Sequence, residues 1–152
     1  MTSNIQEKFG GNGMSATEDN KQLVRDYFTA FLAADETWWR EHIAPTFRRH
    51  DPGLPFEVVG PAGVKQLADA LLPGIPDMEL PIEDMVAEGE KVLARIRVRG
   101  THKGDLMGLP PTGRKIDIAV LDLFHIRDGK LIEHWALLDN LGMLRQLGVT
   151  SI

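Results

Sequence analysis

Apolar residues recur at helical spacing in the first half of the chain and alternate at strand spacing in the second. Leu23, Val24, Tyr27, Phe28 and Phe31 follow the polar run Thr17 to Asn20, which predicts an amphipathic helix with a polar start. A short second helix is predicted from near Asp35, carrying Trp38 and Trp39. Gly60-Pro61 opens a third, because the fixed φ of proline suits the first helical position. Its buried face is Val64, Leu67, Ala68 and Leu71, and Pro73-Gly74 ends it. From Met78 the period becomes two. Met78, Leu80 and Ile82 alternate, Glu88-Gly89-Glu90 makes a turn, and Val92, Ala94, Ile96, Val98 and Gly100 share one face of the next strand. Arg95, Arg97 and Arg99 take the other face. A loop from Lys103 to Gly113 leads into a long strand, Arg114 to Arg127, and a last strand runs from Lys130 to about Asp139. Leu141 to Leu147 is read as a final helical turn. Helices first and strands afterwards is the order of an α+β fold.

Asp128-Gly129 is the strongest hairpin signal in the chain, and a two-residue loop there sets Arg127 opposite Lys130. Counting back without interruption, Phe124 faces Glu133, Asp122 faces Trp135 and Ile118 faces Asp139. One face then carries Ile116, Ile118, Val120, Asp122, Phe124, Leu131, Glu133, Trp135, Leu137 and Asp139. His102 continues the same parity from the preceding strand. Three polar groups, His102, Asp122 and Asp139, thus interrupt an apolar surface. A carboxylate among apolar side chains is costly unless paired, and desolvation makes it more basic, which is what a general acid or base needs. Taken singly, each has an ordinary reading: Asp122 bonded to an amide or an arginine, Asp139 a strand-end or helix-capping aspartate, His102 a loop histidine. Their shared face favours the functional one. His125 and His134 fall on the opposite parity and read as structural or interfacial; His42 reads as exposed. On the outer face, Ala119, Leu121, Leu123, Ala136 and Leu138 form an apolar area too large to leave wet, so a homodimer or higher homo-oligomer built on the sheet is expected. The arginine stripe reads as a solvated face with acidic partners such as Asp117.

Composition narrows the function classes. An apolar content of 43 % over 152 residues supplies one core with enough left for a pocket. A net charge of −5 argues against nucleic acid as partner. The absence of cysteine excludes disulfides and thiolate chemistry and fits a reducing cytoplasm. No apolar stretch approaches membrane-spanning length, and Met1 to Ser15 lacks the apolar core of a signal peptide, so a cytoplasmic protein with no membrane partner is expected. Residues 1–17, with Gly10-Gly11-Asn12-Gly13, read as a flexible leader to a domain spanning 18–152. Neither glycine-rich segment has the pattern of a phosphate loop. His50, His102, Asp122 and Asp139 lack the short spacing of metal ligands, and no metal is expected. Aromatic residues are 7 % of the chain, so Trp38, Trp135 and Tyr27 serve pocket as well as core.

The motifs resemble a known family. His50-Asp51-Pro52, Gly60-Pro61-Ala62-Gly63, Pro76-Asp77, Glu88-Gly89 and Gly100-Thr101-His102 are similar, in order and spacing, to those of the SnoaL-like polyketide cyclases. So are Gly108-Leu109-Pro110-Pro111-Thr112-Gly113-Arg114, Asp128-Gly129-Lys130 with Glu133, Trp135 and Asp139, and Gln146-Leu147-Gly148. The resemblance covers roughly residues 20 to 148. It implies the cone-shaped α+β barrel of the nuclear transport factor 2 and ketosteroid isomerase superfamily, with helices packed on a highly curved sheet that encloses a pocket. It further implies an enzyme without metal or organic cofactor, acting on a small apolar or polyketide-like substrate by intramolecular aldol closure or a related isomerisation or dehydration. By the same resemblance Asp139 is the acid/base, His102 the donor or proton partner, and His50 a residue of the pocket mouth. Competing readings are a protein that binds a small apolar ligand without changing it, and a cofactor-free hydrolase or hydroxylase on the same scaffold.

Overall fold

The computed structural model describes residues 12–150. Helix α1 spans Asn12–Ala33, so the helix begins within the segment expected as a leader; residues 1–11 of that segment lie outside the described residues. Helix α2 (Glu36–His42) starts at Asp35, whose carboxylate accepts from the Trp38 amide at 3.1 Å, an N-cap. Helix α3 (Gly60–Leu71) has proline in its first turn and buries Val64, Leu67 and Ala68, as the pattern predicts. Helix α4 (Asn140–Gln146) closes the described chain.

Among the described residues six strands form one open, curved sheet: β1 (Ile43–His50), β2 (Val58–Val59), β3 (Ile82–Glu88), β4 (Lys91–Thr101), β5 (Lys115–Arg127) and β6 (Lys130–Leu138). Their order is β2-β1-β6-β5-β4-β3, antiparallel except for β1, which runs parallel to β6. The sheet is not a closed barrel; its concave face is covered by the helices, which pack on it through Tyr27, Phe28, Phe31, Leu67 and Ala68. β1 and β2 have no counterpart in the strand pattern read from the sequence. Pro45 and a register shift between Ile43 and Arg48 spoil the alternation of β1, and its partner β6 lies more than eighty residues away.

The hairpin sets Arg127 opposite Lys130, as expected, and Ile126 opposite Leu131. The next pair is His125 with Glu133, so Ile132 is an extra residue, a β-bulge. Beyond it the uninterrupted count fails by one: Phe124 pairs with His134 and Asp122 with Ala136. A shift by one residue exchanges the faces of a strand. His134, Ala136 and Leu138 therefore turn inward, while Glu133, Trp135 and Leu137 turn outward, the reverse of the sequence expectation.

The arginine stripe behaves as expected. Arg97 bonds Asp117, Arg99 reaches Asp117 at 3.3 Å, and Arg95 reaches Glu83 at 3.3 Å on the outer face. A second small core, Ile75, Leu106, Ile116, Ile118 and Leu147, closes the far end of the sheet under the loop that follows β4. That loop is tied down by the Lys103 amide at 3.0 Å and the Gly104 amide at 3.2 Å, both donating to the Gly74 carbonyl. A β-carbon at Gly104 would run into the Pro73 carbonyl oxygen, a backbone atom held at the end of α3. Gly104→Ala is therefore expected to cost about 1–3 kcal/mol, the usual range for overpacking, read as a lower midpoint in urea denaturation.

Candidate active site

An apolar cavity lies between the concave face of the sheet and the helices. Phe28, Phe31, Leu67, Leu71, Ile96, Val98, Ile118 and Val120 line its walls. Its volume is about 90 Å3, room for several waters. Met78, Met107 and Met143 are also in the lining, and flexible thioether side chains let such walls adapt to a larger guest.

Polar groups are gathered on one side. Tyr27, Arg49, Asp51, Asp122 and Asn140 all line the cavity. Asp122 is 3 % exposed, and its Oδ1 accepts from Nε2 of His134, itself 0 % exposed, at 2.8 Å. His134 lies behind this carboxylate, stacked on Phe124 with ring centres 4.0 Å apart and edged by Tyr27 and Phe47. Burial is the largest influence on the His134 imidazole and holds its pKa below the ordinary histidine value, against the pull of Asp122. The ring is thus neutral. Among the described residues its Nδ1 has no hydrogen-bond partner, which fits a bare acceptor there and the proton on Nε2.

Arg49 sits opposite His134 across the β1–β6 pairing. Its Nε and Nη2 donate to Oδ2 of Asp51 at 3.2 and 2.8 Å, and Oδ1 of Asp51 accepts from the Gly53 amide at 3.0 Å. The charge of the guanidinium also acts on the Tyr27 hydroxyl. Burial is the main reason that the Tyr27 phenol is pushed up to about 12, so it keeps its proton at any working pH. The protonated phenol is a hydrogen-bond donor to whatever the cavity holds. Ring contacts to Phe28, Phe31, Trp38, Phe124 and His134 fix the position of that hydroxyl.

Of the residues singled out from the sequence, Tyr27 and Asp122 lie in the cavity wall. Asp139 does not. The bulge gives it the outer parity, it is exposed, and its Oδ1 accepts from the Gly142 amide at 2.9 Å as the N-cap of α4. His102 is fully buried but is engaged with its own loop: Nε2 lies 3.3 Å from the Leu109 carbonyl oxygen, and Nδ1 accepts from the Thr112 amide at 3.3 Å. It holds the loop from Lys103 to Gly113 in place rather than lining the cavity. His50 and Trp135 stack on the outer face with ring centres 5.4 Å apart, and His50 bonds Glu133 at 2.7 Å. Trp38 stacks on His42 and touches Tyr27, standing behind the cavity wall. His134, assigned to the opposite parity, proves to be the partner of Asp122. Arg49 and Asp51 lie on and just beyond the strand that the periodicity missed. No local signal marks the bulge; Asp51 stands in the His50-Asp51-Pro52 motif, and nothing in the periodicity singles out Arg49.

The SnoaL-like polyketide cyclase family model matches residues 21–147. The chain belongs to this family. Aklanonic acid methyl ester cyclase DnrD of Streptomyces peucetius is 33 % identical over 108 residues, 71 % of this chain and 72 % of that protein. Among solved structures, a candidate SnoaL-like polyketide cyclase from Jannaschia sp. CCS1 superposes with a TM-score of 0.78 at 27 % identity, covering 89 % of this chain and 95 % of its own. The candidate hydroxylase AclR of Streptomyces galilaeus gives a TM-score of 0.75 at 27 % identity, covering 89 % and 99 %. The family's architecture, helices on a curved sheet around a pocket, is the one described above. Among the described residues no helix is long and apolar enough to cross a membrane, and no group of three or more acidic, histidine or cysteine side chains is placed to hold a metal.

The neutral, buried state of His134 has a consequence for stability. Its folded pKa is below the unfolded value of about 6.5, so below that pH the unfolded chain binds more protons. The linked stability is complete above pH 6.5 and is lost as pH falls from there toward the folded pKa, with a slope of at most about 1.4 kcal/mol per pH unit. Urea denaturation at pH 7.5 and pH 5.5 should show this loss. His134→Gln, which keeps an N–H for Asp122 but does not titrate, should flatten it.

Proposed function

We propose that the chain is a small-molecule enzyme of the cyclase type, using acid/base catalysis on a carbonyl compound, with Asp122 as the base. The observation that carries this is the Asp122–His134 pair, a carboxylate in the wall of an apolar cavity held by a neutral imidazole. Asp122 removes a proton from the carbon beside a carbonyl: the C–H bond breaks, the carboxyl O–H forms, and the electron pair moves onto the carbonyl oxygen. Tyr27 donates its O–H to that enolate oxygen, and the charge of the Arg49 guanidinium acts in the same direction. The enolate carbon then attacks a second carbonyl of the same molecule. The new alkoxide takes the proton back from Asp122, giving the aldol hydroxyl and restoring the carboxylate. His134 touches no reacting atom in this scheme; it orients the carboxylate. Each proton is carried by a residue of this chain, so the sequence of steps calls for no metal or organic cofactor.

Aklanonic acid methyl ester, the substrate in the name of the Streptomyces peucetius relative, is the first compound to assay. Asp122→Asn should lower its turnover by about 10²–10⁴-fold, the usual worth of a general base, with an unchanged thermal melt. Asp139→Asn should keep turnover within a few-fold, since asparagine caps a helix as well as aspartate does. An Asp122→Asn protein that cyclises the ester at the wild-type rate would overturn the assignment. The likeness to AclR supports hydroxylation as a second reading. Product mass separates the two: aldol closure leaves it unchanged, and hydroxylation adds an oxygen atom. A protein that only holds its ligand would return the ester intact.

The partner expected on the outer sheet face is a second copy of this chain. Leu137 is 62 % exposed and Leu121 43 % exposed, and with Leu93, Leu123 and Trp135 they form one continuous apolar surface; the bulge puts Trp135 and Leu137 there in place of Ala136 and Leu138. Light scattering during size exclusion should give twice the chain mass of 16.9 kDa. Leu137→Glu should give the single-chain mass; a wild-type protein that is a strict monomer at micromolar concentration would count against the interface.

A further inference from the structure

Three charged side chains, Arg49, Asp51 and Asp122, line the same cavity, and Arg49 is bonded to Asp51. Arg49 is buried, its side chain 10 % exposed, and a buried guanidinium needs an anion. Two carboxylates line the same cavity, Asp51 and Asp122, and the charge of Arg49 acts on both. It bonds Asp51. That carboxylate, 5 % exposed, is fixed in turn: one oxygen takes both guanidinium N–H groups and the other takes the Gly53 amide. The turn it anchors is braced from the far side, since a β-carbon at Gly53 would strike the Asn140 amide at the start of α4. Asp122 is left with His134, an uncharged donor.

The alternative pairing would be damaging. A guanidinium bonded to Asp122 would stabilise its ionised form and occupy an oxygen that the reaction uses, lowering the pKa of such a carboxyl by about 1–3 units. The groups that act on or bond Asp122 are His134 from β6, Arg49 from β1 and Tyr27 from α1, with Asp51 in the same cavity lining; its neighbours on β4 and β6, Ala94 and Ala136, carry no charge. Arg49 is therefore the one cation among the described groups around the base. We propose that Asp51 is a positioning residue whose carboxylate holds the Arg49 guanidinium away from Asp122, leaving the second oxygen of Asp122 open to substrate. This rests on the reading of Asp122 as the base.

Carbon-13 NMR titration of the Asp122 carboxyl in the full chain tests the proposal without any substrate, the signal being assigned by its loss in Asp122→Asn. In Asp51→Asn the midpoint should fall by about 1–3 pH units as Arg49 turns to the remaining carboxylate. Asp51→Glu should return it toward the wild-type value. Arg49→Met combined with Asp51→Asn should raise it again, because the cation responsible is gone. An unchanged midpoint in Asp51→Asn, or one equally low in the double variant, would overturn the proposal. Where Asp122→Asn keeps full turnover, the base assignment fails by itself, and the titration still reports on the charge pairing.

Discussion

The site depends on one hydrogen bond, between Nε2 of His134 and Oδ1 of Asp122. An ionised carboxylate in an apolar wall loses its hydration, a cost of several kcal/mol unless a donor replaces the water. His134 supplies the donor from the neighbouring strand. It can do so only because Ile132 bulges out of β6 and brings position 134 to the concave face. Without that extra residue Glu133 would occupy the inner parity, setting a second carboxylate beside Asp122 and repelling it. The bulge thus converts an impossible arrangement of like charges into a satisfied pair.

The same geometry divides the cavity. One side is apolar, built by Phe28 and Phe31 of α1, Leu67 and Leu71 of α3, and Ile96, Val98, Ile118 and Val120 of β4 and β5. The other is polar, built by Tyr27 of α1, Arg49 of β1, Asp51 just beyond it, Asp122 of β5 and Asn140 of α4. A guest with a carbonyl-bearing edge and an apolar body has one orientation that leaves neither unsatisfied. Low polarity around the polar side strengthens each interaction there, and it makes the distribution of charge between Asp51 and Asp122 consequential. A surface arginine in water would matter little to a carboxylate one strand away; a buried one matters a great deal.

Asp139 and Asp122 show how burial alone separates two aspartates in one sheet. Asp139, exposed at a strand end, satisfies a helix start and braces α4. Through Asn140 and Gly53 that helix abuts the turn that holds Asp51, so Asp139 bears on the site only as support. His102 has a comparable part on the opposite side, its two nitrogens holding the loop that carries Met107 to the cavity.

Much was determined by the sequence alone. Helices α2 and α3, strands β3 to β6, the Asp128-Gly129 hairpin, the even-numbered inner face of β5 with Asp122 on it, and the family itself were legible from periodicity, turn residues and motif order. These are local signals, written in neighbouring residues. The partner of Asp122 was not among them. A bulge leaves no mark in a strand's composition, yet it reverses every side chain beyond it, so His134 and Trp135 exchanged faces and Asp139 left the cavity. Strand β1 was hidden for a related reason, since its pairing is parallel and joins residues far apart in the chain. Which side chains meet in the cavity was decided by tertiary structure, because register and non-local pairing are set by the whole sheet and not by any segment of it.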